Sequence, residues 1–296
     1  MRFLTFTAPG EEGARLGALL SSGEVVGLPG DMLSLIQAGP QAWARAEAEA
    51  GRAKERWPLD EVQVRAPLRP TSLRDFYAFE QHVATAHANR GKQVPPEWYQ
   101  VPVFYFSNPH PVYGPGDAVP IPSYSQALDY ELELAAVIGR GGRDIPANQA
   151  LEHIFGFTIF NDWSARDVQR VEMQVGLGPA KGKDFALSLG PTIVTQNELE
   201  AHSDGRPGVY DLSMLARING EERSRGNWSD IHYSFGELLA RASQDVDLLP
   251  GDVIGSGTVG TGCLLELTKG EGPWLQAGDV VELVVEGLGV LRNTVS

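Results

Sequence analysis

The segment Asp129-Tyr130-Glu131-Leu132-Glu133-Leu134 carries two glutamates two positions apart. In an extended strand such residues share a face about 7 Å apart, so Glu131 and Glu133 point one way and Leu132 and Leu134 the other. Two carboxylates held that close repel unless a cation lies between them. A hard divalent ion, which takes oxygen donors, meets that need. Two solvated glutamates on an exposed strand face would show the same spacing. However, Leu134-Ala135-Ala136-Val137-Ile138 follows at once, which runs the strand into a core rather than along a surface.

A third acid, Asp162, ends the apolar run Phe155–Phe160 and opens a segment read as a helix over Trp163–Gln174, with Asn161 or Asp162 as its cap. A cap by itself accounts for that aspartate. Yet Arg166 and Gln169 follow at i+4 and i+7, the spacing of one helical face, and a carboxylate, a guanidinium and an amide on one face would line a pocket. Arg166 is equally read as a structural partner of Asp162 or Asp167.

Upstream, Arg74-Asp75-Phe76-Tyr77-Ala78-Phe79-Glu80-Gln81-His82 supplies another acid and a possible base. If Ser72–Asn89 is a helix or helical turn, the seven-residue step from Asp75 to His82 spans about 10.5 Å. The two then share a face without touching one ion, which suits a metal ligand and a base on either side of a substrate. A half-exposed helix histidine is the plainer account of His82 on its own. Glu266, alone among leucines in Leu264-Leu265-Glu266-Leu267, needs a partner if buried, and a histidine is a good one. Lys181 and Lys183 either bring positive charge to an oxyanion or decorate a loop. Gly255-Ser256-Gly257-Thr258-Val259-Gly260 lacks the lysine and the spacing of nucleotide-binding loops and reads as a glycine turn.

The elements that must position these groups are mostly strands. Glycine and proline are plentiful, at 34 and 20 of 296 residues, and they punctuate short β-rich runs with no repeat. The chain reads as mostly β (α+β): strands at 1–7, near 24–28, 101–106, 129–138, 154–161, 191–195, 212–218, 253–255, 264–267 and 279–285, with helices at 40–56 and 234–243. The Pro-bearing stretch Val62–Pro70 divides a small N-terminal α/β domain, residues 1–65, from a larger domain, residues 66–296, that carries these chemically suggestive groups. A formal net charge of −14 argues against nucleic-acid or anionic-membrane binding. The single cysteine, Cys263, rules out an intrachain disulfide and makes a Cys-based zinc site a poor expectation. There is no apolar run of the roughly 20 residues that span a bilayer, nor a signal-peptide pattern, so a cytoplasmic location is expected.

Taken in order along residues 70–290, these segments resemble the fumarylacetoacetate hydrolase family. Asp75-Phe76-Tyr77 with Gln81-His82 is similar to the family's segment carrying a metal ligand and the catalytic histidine. Glu131 and Glu133 resemble its paired glutamate ligands. Phe160-Asn161-Asp162-Trp163-Ser164-Ala165-Arg166-Asp167-Val168-Gln169 is close to its signature, in which the Asp is a ligand and the Arg and Gln contact substrate. Gly182-Lys183-Asp184-Phe185 resembles the lysine loop and Gly257-Thr258 the C-terminal substrate loop. Glu266 falls where the hydrolases carry the acid that pairs with the histidine. The chain departs from true fumarylacetoacetases in its length, in Phe106-Ser107-Asn108 following Tyr105 where they carry His-Gly-Arg, and in Ala186-Leu187 where a threonine is expected.

The resemblance implies a mixed β-sandwich roll, a homodimer, and bound Mg2+, or Ca2+ or Mn2+, held by Asp75, Glu131, Glu133 and Asp162. It further implies hydrolysis of a C–C bond in a 1,3-diketo acid. In that scheme His82, oriented by Glu266, activates water, while Lys183, Arg166 and Gln169 offset charge. Tyr77, Tyr105 and Thr258 position the small keto-acid substrate. Isomerisation of a hydroxy-dienedioate and decarboxylation of oxaloacetate need the same metal without water attack. A calcium-dependent carboxylate- or sugar-binding β module is the non-enzymatic alternative; it predicts an open acidic face and no buried base.

Overall fold

The computed structural model describes residues 1–296. Its centre is a 12-stranded mixed sheet in which Leu132–Ile138 pairs antiparallel with Ile154–Asn161 on one side and with Val253–Gly255 on the other. Both long strands are buried along their whole length, as expected for apolar runs covered on both faces. Val253–Gly255 pairs parallel with Leu73–Phe76, which pairs in turn with Phe104–Ser107. A five-stranded sheet packs against the first and contains Ser213–Ile218, Glu221–Asn227, Val280–Val285 and Gly289–Val295. The main core lies between the two, with Leu134, Phe157 and Ile159 from the large sheet and Met214, Leu283 and Leu291 from the smaller. Mostly β with mixed sheets is therefore the observed class.

Residues 1–65 form strands Arg2–Thr7, Arg15–Leu19, Glu24–Gly27, Arg56–Pro58 and Gln63–Arg65 and the helices Met32–Gln37 and Pro40–Arg52. They join the large sheet through Arg2–Thr7, which pairs with Leu187–Val194 at Arg2↔Val194 and Phe3↔Ile193. Phe3, Leu16 and Val26 share one core cluster with Val137, Phe155 and Val253, so this segment packs as an extension of the large sheet.

Several local expectations are corrected by tertiary pairing. Ser72–Asn89 is not one helix: Leu73–Phe76 is a buried strand, and the helix begins only at Glu80–Ala88. Asp75 and His82 are therefore on different elements. The run from 129 to 138 breaks at Tyr130 and Glu131, because Leu128–Asp129 pairs with Ser164–Ala165 in a separate two-stranded piece. That piece also delays the following helix, which spans Arg166–Val175 with Ala165 at its N-cap, so neither Asn161 nor Asp162 is a cap. Leu264–Leu267 is a helical turn rather than a strand; the Asp129 carboxylate accepts the Leu264 and Leu265 N–H groups that such a turn leaves free.

Phe157 anchors the inter-sheet core, with ring centroids 5.0 Å from Trp228, 5.2 Å from Phe235 and 5.7 Å from Tyr210. Phe157→Ala should lower stability by about 3–5 kcal/mol in chemical denaturation followed by tryptophan fluorescence. A loss below about 1 kcal/mol would contradict this account of the core.

Candidate active site

The ends of the central strands deliver the acids to one place. Asp75 sits on Leu73–Phe76 opposite Gly255 and accepts a hydrogen bond from the Gly257 N–H at 3.1 Å. A Cβ at Gly255 would lie 2.3 Å from Asp75 Oδ1, so only glycine lets the two strands meet there. Glu133 lies on Leu132–Ile138 across from Phe160, Glu131 just before that strand, and Asp162 just after Ile154–Asn161. Glu131 has its N–H held by Asn161 Oδ1 at 2.9 Å, which bends the chain inward. All four acids are buried.

They face a cavity of about 330 Å³. Asp75, Tyr77, His82, Tyr105, Glu131, Glu133, Arg166, Gln169, Lys183 and Thr258 line it. Asp162 and Glu266 are not on its wall; each touches a residue that is, Asp162 through Lys183 and Glu266 through His82. The sequence thus named residues that the fold gathers, though the elements carrying Asp75, Glu131, Asp162 and Glu266 were misread.

Two buried cations hold the acids. Lys183 Nζ donates to Glu131 Oε2 and to Asp162 Oδ2, the latter at 2.5 Å. Arg166 donates from Nη2 to Glu131 Oε1 at 2.8 Å, from Nε to Asp129 Oδ2 at 2.8 Å and from Nη1 to Gln169 Oε1 at 2.9 Å. Its ion-pair partners are therefore Asp129 and Glu131, not Asp162 or Asp167. Asp167 instead accepts from Ser125 and the Gln126 N–H. Tyr105 donates its hydroxyl to Asp162, and Thr258 to Glu133 Oε1 at 3.1 Å.

The electrostatics follow from this pairing. Burial pushes the Glu131 carboxyl up, but Lys183, Arg166 and then His82 outweigh it and hold it below the usual carboxylate range. Burial and then Asp75, Glu131 and Asp162 push Glu133 well above that range. Asp75 is pushed up to about 8, first by burial and then by Asp162. Burial also raises Asp162, against the opposing charge of Lys183.

His82 Nδ1 lies 2.8 Å from Glu266 Oε2, with both side chains buried. The approach is close but poorly aligned, since Nδ1 completes no hydrogen bond. The Tyr77 ring meets the imidazole edge-on at 5.2 Å. Two groups at this site were not read from the sequence. Asp129 ties Arg166 to the helical turn that carries Glu266; its place in Asp-Tyr-Glu-Leu-Glu was visible but its role was not. Cys263 Sγ lies 3.6 Å from Glu266 Oε2, a contact that sequence separation alone does not signal.

The donor set fits a hard divalent cation. All four acids offer oxygen only, and Glu133 Oε2 and Asp162 Oδ1 are buried with no partner. Glu131 has both oxygens engaged by cations and would have to share one. Because burial and neighbouring carboxylates raise Asp75 to about 8 and push Glu133 upward, a cation that binds these acids competes with protons. Calorimetric titration with Mg2+ or Mn2+ at pH 7 in buffers of differing ionisation enthalpy should show proton release, and the Asp75 share should fade as pH rises through about 8. Binding without proton release at pH 7 would contradict this electrostatic picture.

Comparison with known proteins agrees with the geometry. Residues 71–296 match the model of the fumarylacetoacetate (FAA) hydrolase C-terminal domain. The human mitochondrial oxaloacetate tautomerase FAHD2A is 32% identical over 100% of this chain and 91% of its own length. The fumarylacetoacetase of Oryza sativa subsp. japonica is 31% identical over 74% of this chain, which spans 62% of that protein. The structure of a fumarylacetoacetate hydrolase from Exiguobacterium antarcticum superposes with a TM-score of 0.79 at 29% identity, covering 100% of this chain and 99% of that one. Matched relatives include hydrolases, isomerases and oxaloacetate tautomerases, and enzymes of this group generally use a divalent metal. The chain belongs to the fumarylacetoacetate hydrolase family.

Proposed function

We propose that the chain is a divalent-metal-dependent hydrolase that cleaves a C–C bond in a small 1,3-diketo acid of the acylpyruvate or fumarylacetoacetate type. The observation that carries this reading is His82, with Glu266 2.8 Å behind it, lining the same cavity as Asp75, Glu131 and Glu133. A base poised beside a chelating site is the pairing that water attack requires. The cavity is also amphipathic: Val103, Phe104, Met173 and Leu265 line it together with the polar groups, which gives an acyl chain apolar surface to contact.

Asp75, Glu131, Glu133 and Asp162 would hold the ion, with Mg2+ or Mn2+ as the natural candidates for an oxygen-only set. When bound, the ion supplies Lewis-acid polarisation of the keto-acid oxygens and stabilises an enolate. His82 takes a proton from water, and the water oxygen bonds to the distal carbonyl carbon. The C–C bond then breaks with its electron pair passing to the enolate. His82 returns its proton to the α-carbon of the departing enolate, leaving a carboxylic acid and a shorter keto acid. Glu266 keeps the imidazole turned toward the cavity and stabilises its protonated form. Arg166 and Lys183 act mainly by balancing Glu131, Asp129 and Asp162, and their positive charge at the cavity wall favours an anionic substrate. Tyr77, Tyr105 and Thr258 shape the chelating end.

A second reading, keto–enol tautomerisation of oxaloacetate or isomerisation of a related dienedioate, draws on relatives such as the human tautomerase that align along the whole chain. The same base would then move a proton between carbon and oxygen with no water attack. Product analysis separates the two: two fragments mean hydrolysis, one isomer means proton shuffling.

His82→Ala should lower kcat on an acylpyruvate panel by about 10²–10⁴-fold while leaving metal content unchanged by elemental analysis. Undiminished turnover would remove His82 from the chemistry.

A further inference from the structure

Among all the metal-ligating side chains of the molecule, His82, Cys263 and Glu266 form a three-donor group whose ligand atoms lie within 4.8 Å of one another, all buried. The donors differ in kind from the acid cluster. A thiol, an imidazole and a carboxylate are the ligands of zinc-like cations, whereas magnesium and calcium avoid sulfur and nitrogen. Two of their atoms are left over. His82 Nδ1 and Glu266 Oε1 are buried without a hydrogen-bond partner, and Nδ1 points at the group by its 2.8 Å approach to Glu266 Oε2. Cys263 Sγ completes the triangle at 3.6 Å from that same oxygen.

We propose that this group is a second cation site, specific for a thiophilic divalent ion such as Zn2+, and that filling it shuts off the base. With Zn–S near 2.3 Å and Zn–N and Zn–O near 2.0–2.1 Å, tetrahedral donors stand about 3.3–3.6 Å apart. The thiol–carboxylate spacing already falls there, and the imidazole–carboxylate contact must open by about half an ångström. His82 and Leu265 line the cavity, which gives the ion its way in and leaves a fourth position for water. Binding exchanges the Cys263 thiol proton, released to solvent, for the ion. It occupies the imidazole nitrogen nearest Glu266 and draws that carboxylate away, so His82 can no longer become the imidazolium that water activation requires. The site rests on residues of the proposed machinery, but its occupancy does not depend on which reaction they serve.

The test is run on Mg2+-saturated protein, so that the acid cluster is filled first. Zinc-edge X-ray absorption with one equivalent of Zn2+ should show one sulfur at about 2.3 Å with nitrogen and oxygen completing the shell. A shell of nitrogen and oxygen alone overturns the proposal, whatever any variant does. Co2+ used as a spectroscopic probe should give a thiolate-to-metal charge-transfer band that saturates near one ion per chain and is competed by Zn2+. Cys263→Ser, checked for folding by its melting curve with Cys263→Ala beside it, should lose the band and weaken Zn2+ retention in equilibrium dialysis by at least tenfold while keeping its Mg2+. Unchanged Zn2+ retention in both variants overturns it as well. Failure of the hydrolase reading would appear as absent turnover with these binding signals intact, which keeps the two outcomes apart.

Discussion

The structure is organised around a shortage of positive charge. Asp75, Asp129, Glu131, Glu133, Asp162 and Glu266 are all buried in one region, where Arg166 and Lys183 are the buried cations that pair with them, while buried Arg74 pairs with Asp252 instead. A charge taken out of water is costly unless paired. Arg166 joins Asp129 to Glu131, and Lys183 joins Glu131 to Asp162. That leaves Asp75 and Glu133 side by side, and both retain protons above the usual carboxylate range when no ion is present. A divalent ion relieves this repulsion, so affinity for it is a consequence of how the acids are buried rather than a property added to the fold.

The framework that imposes this burial is the sheet. Register between Leu132–Ile138 and Ile154–Asn161 sets Glu133 against Phe160 and leaves Glu131 and Asp162 at the strand ends. The parallel pairing of Leu73–Phe76 with Val253–Gly255 brings Asp75 to the same edge. Gly257, with φ of 78°, turns the chain where an added Cβ would lie 2.4 Å from the Phe76 carbonyl oxygen, and so lets Thr258 reach Glu133. Asp129 is the junction: it accepts Arg166 on one side and the N–H groups of the Leu264–Leu267 turn on the other. Through it the acid cluster and the His82–Glu266 pair are held in fixed relation.

Much of the site was legible in the sequence because its residue types are chemically unusual in their context. Paired glutamates leading into an apolar strand, and a glutamate among leucines, cannot be buried without partners. What was not legible were the elements. Leu73–Phe76 carries no strand signal strong enough to stand against the helical run after it; its conformation comes from pairing with strands far away in sequence. Leu264–Leu267 reads as a strand by composition and becomes a helical turn because Asp129, 135 residues earlier, satisfies its N–H groups. The charged strand Glu221–Asn227 lies at the edge of the smaller sheet and has no alternation of apolar residues to announce it. Cys263 beside Glu266 was likewise invisible, since it is their shared approach to His82 that gives the thiol its chemical setting.

The most direct test of the central claim is an anomalous difference map from crystals containing Mn2+. The account predicts one dominant peak per chain, within about 2.5 Å of oxygens from Asp75, Glu131, Glu133 and Asp162. A map with its peak elsewhere, or with none at full Mn2+ occupancy of the solution, would contradict the claim that these buried acids exist to hold an ion.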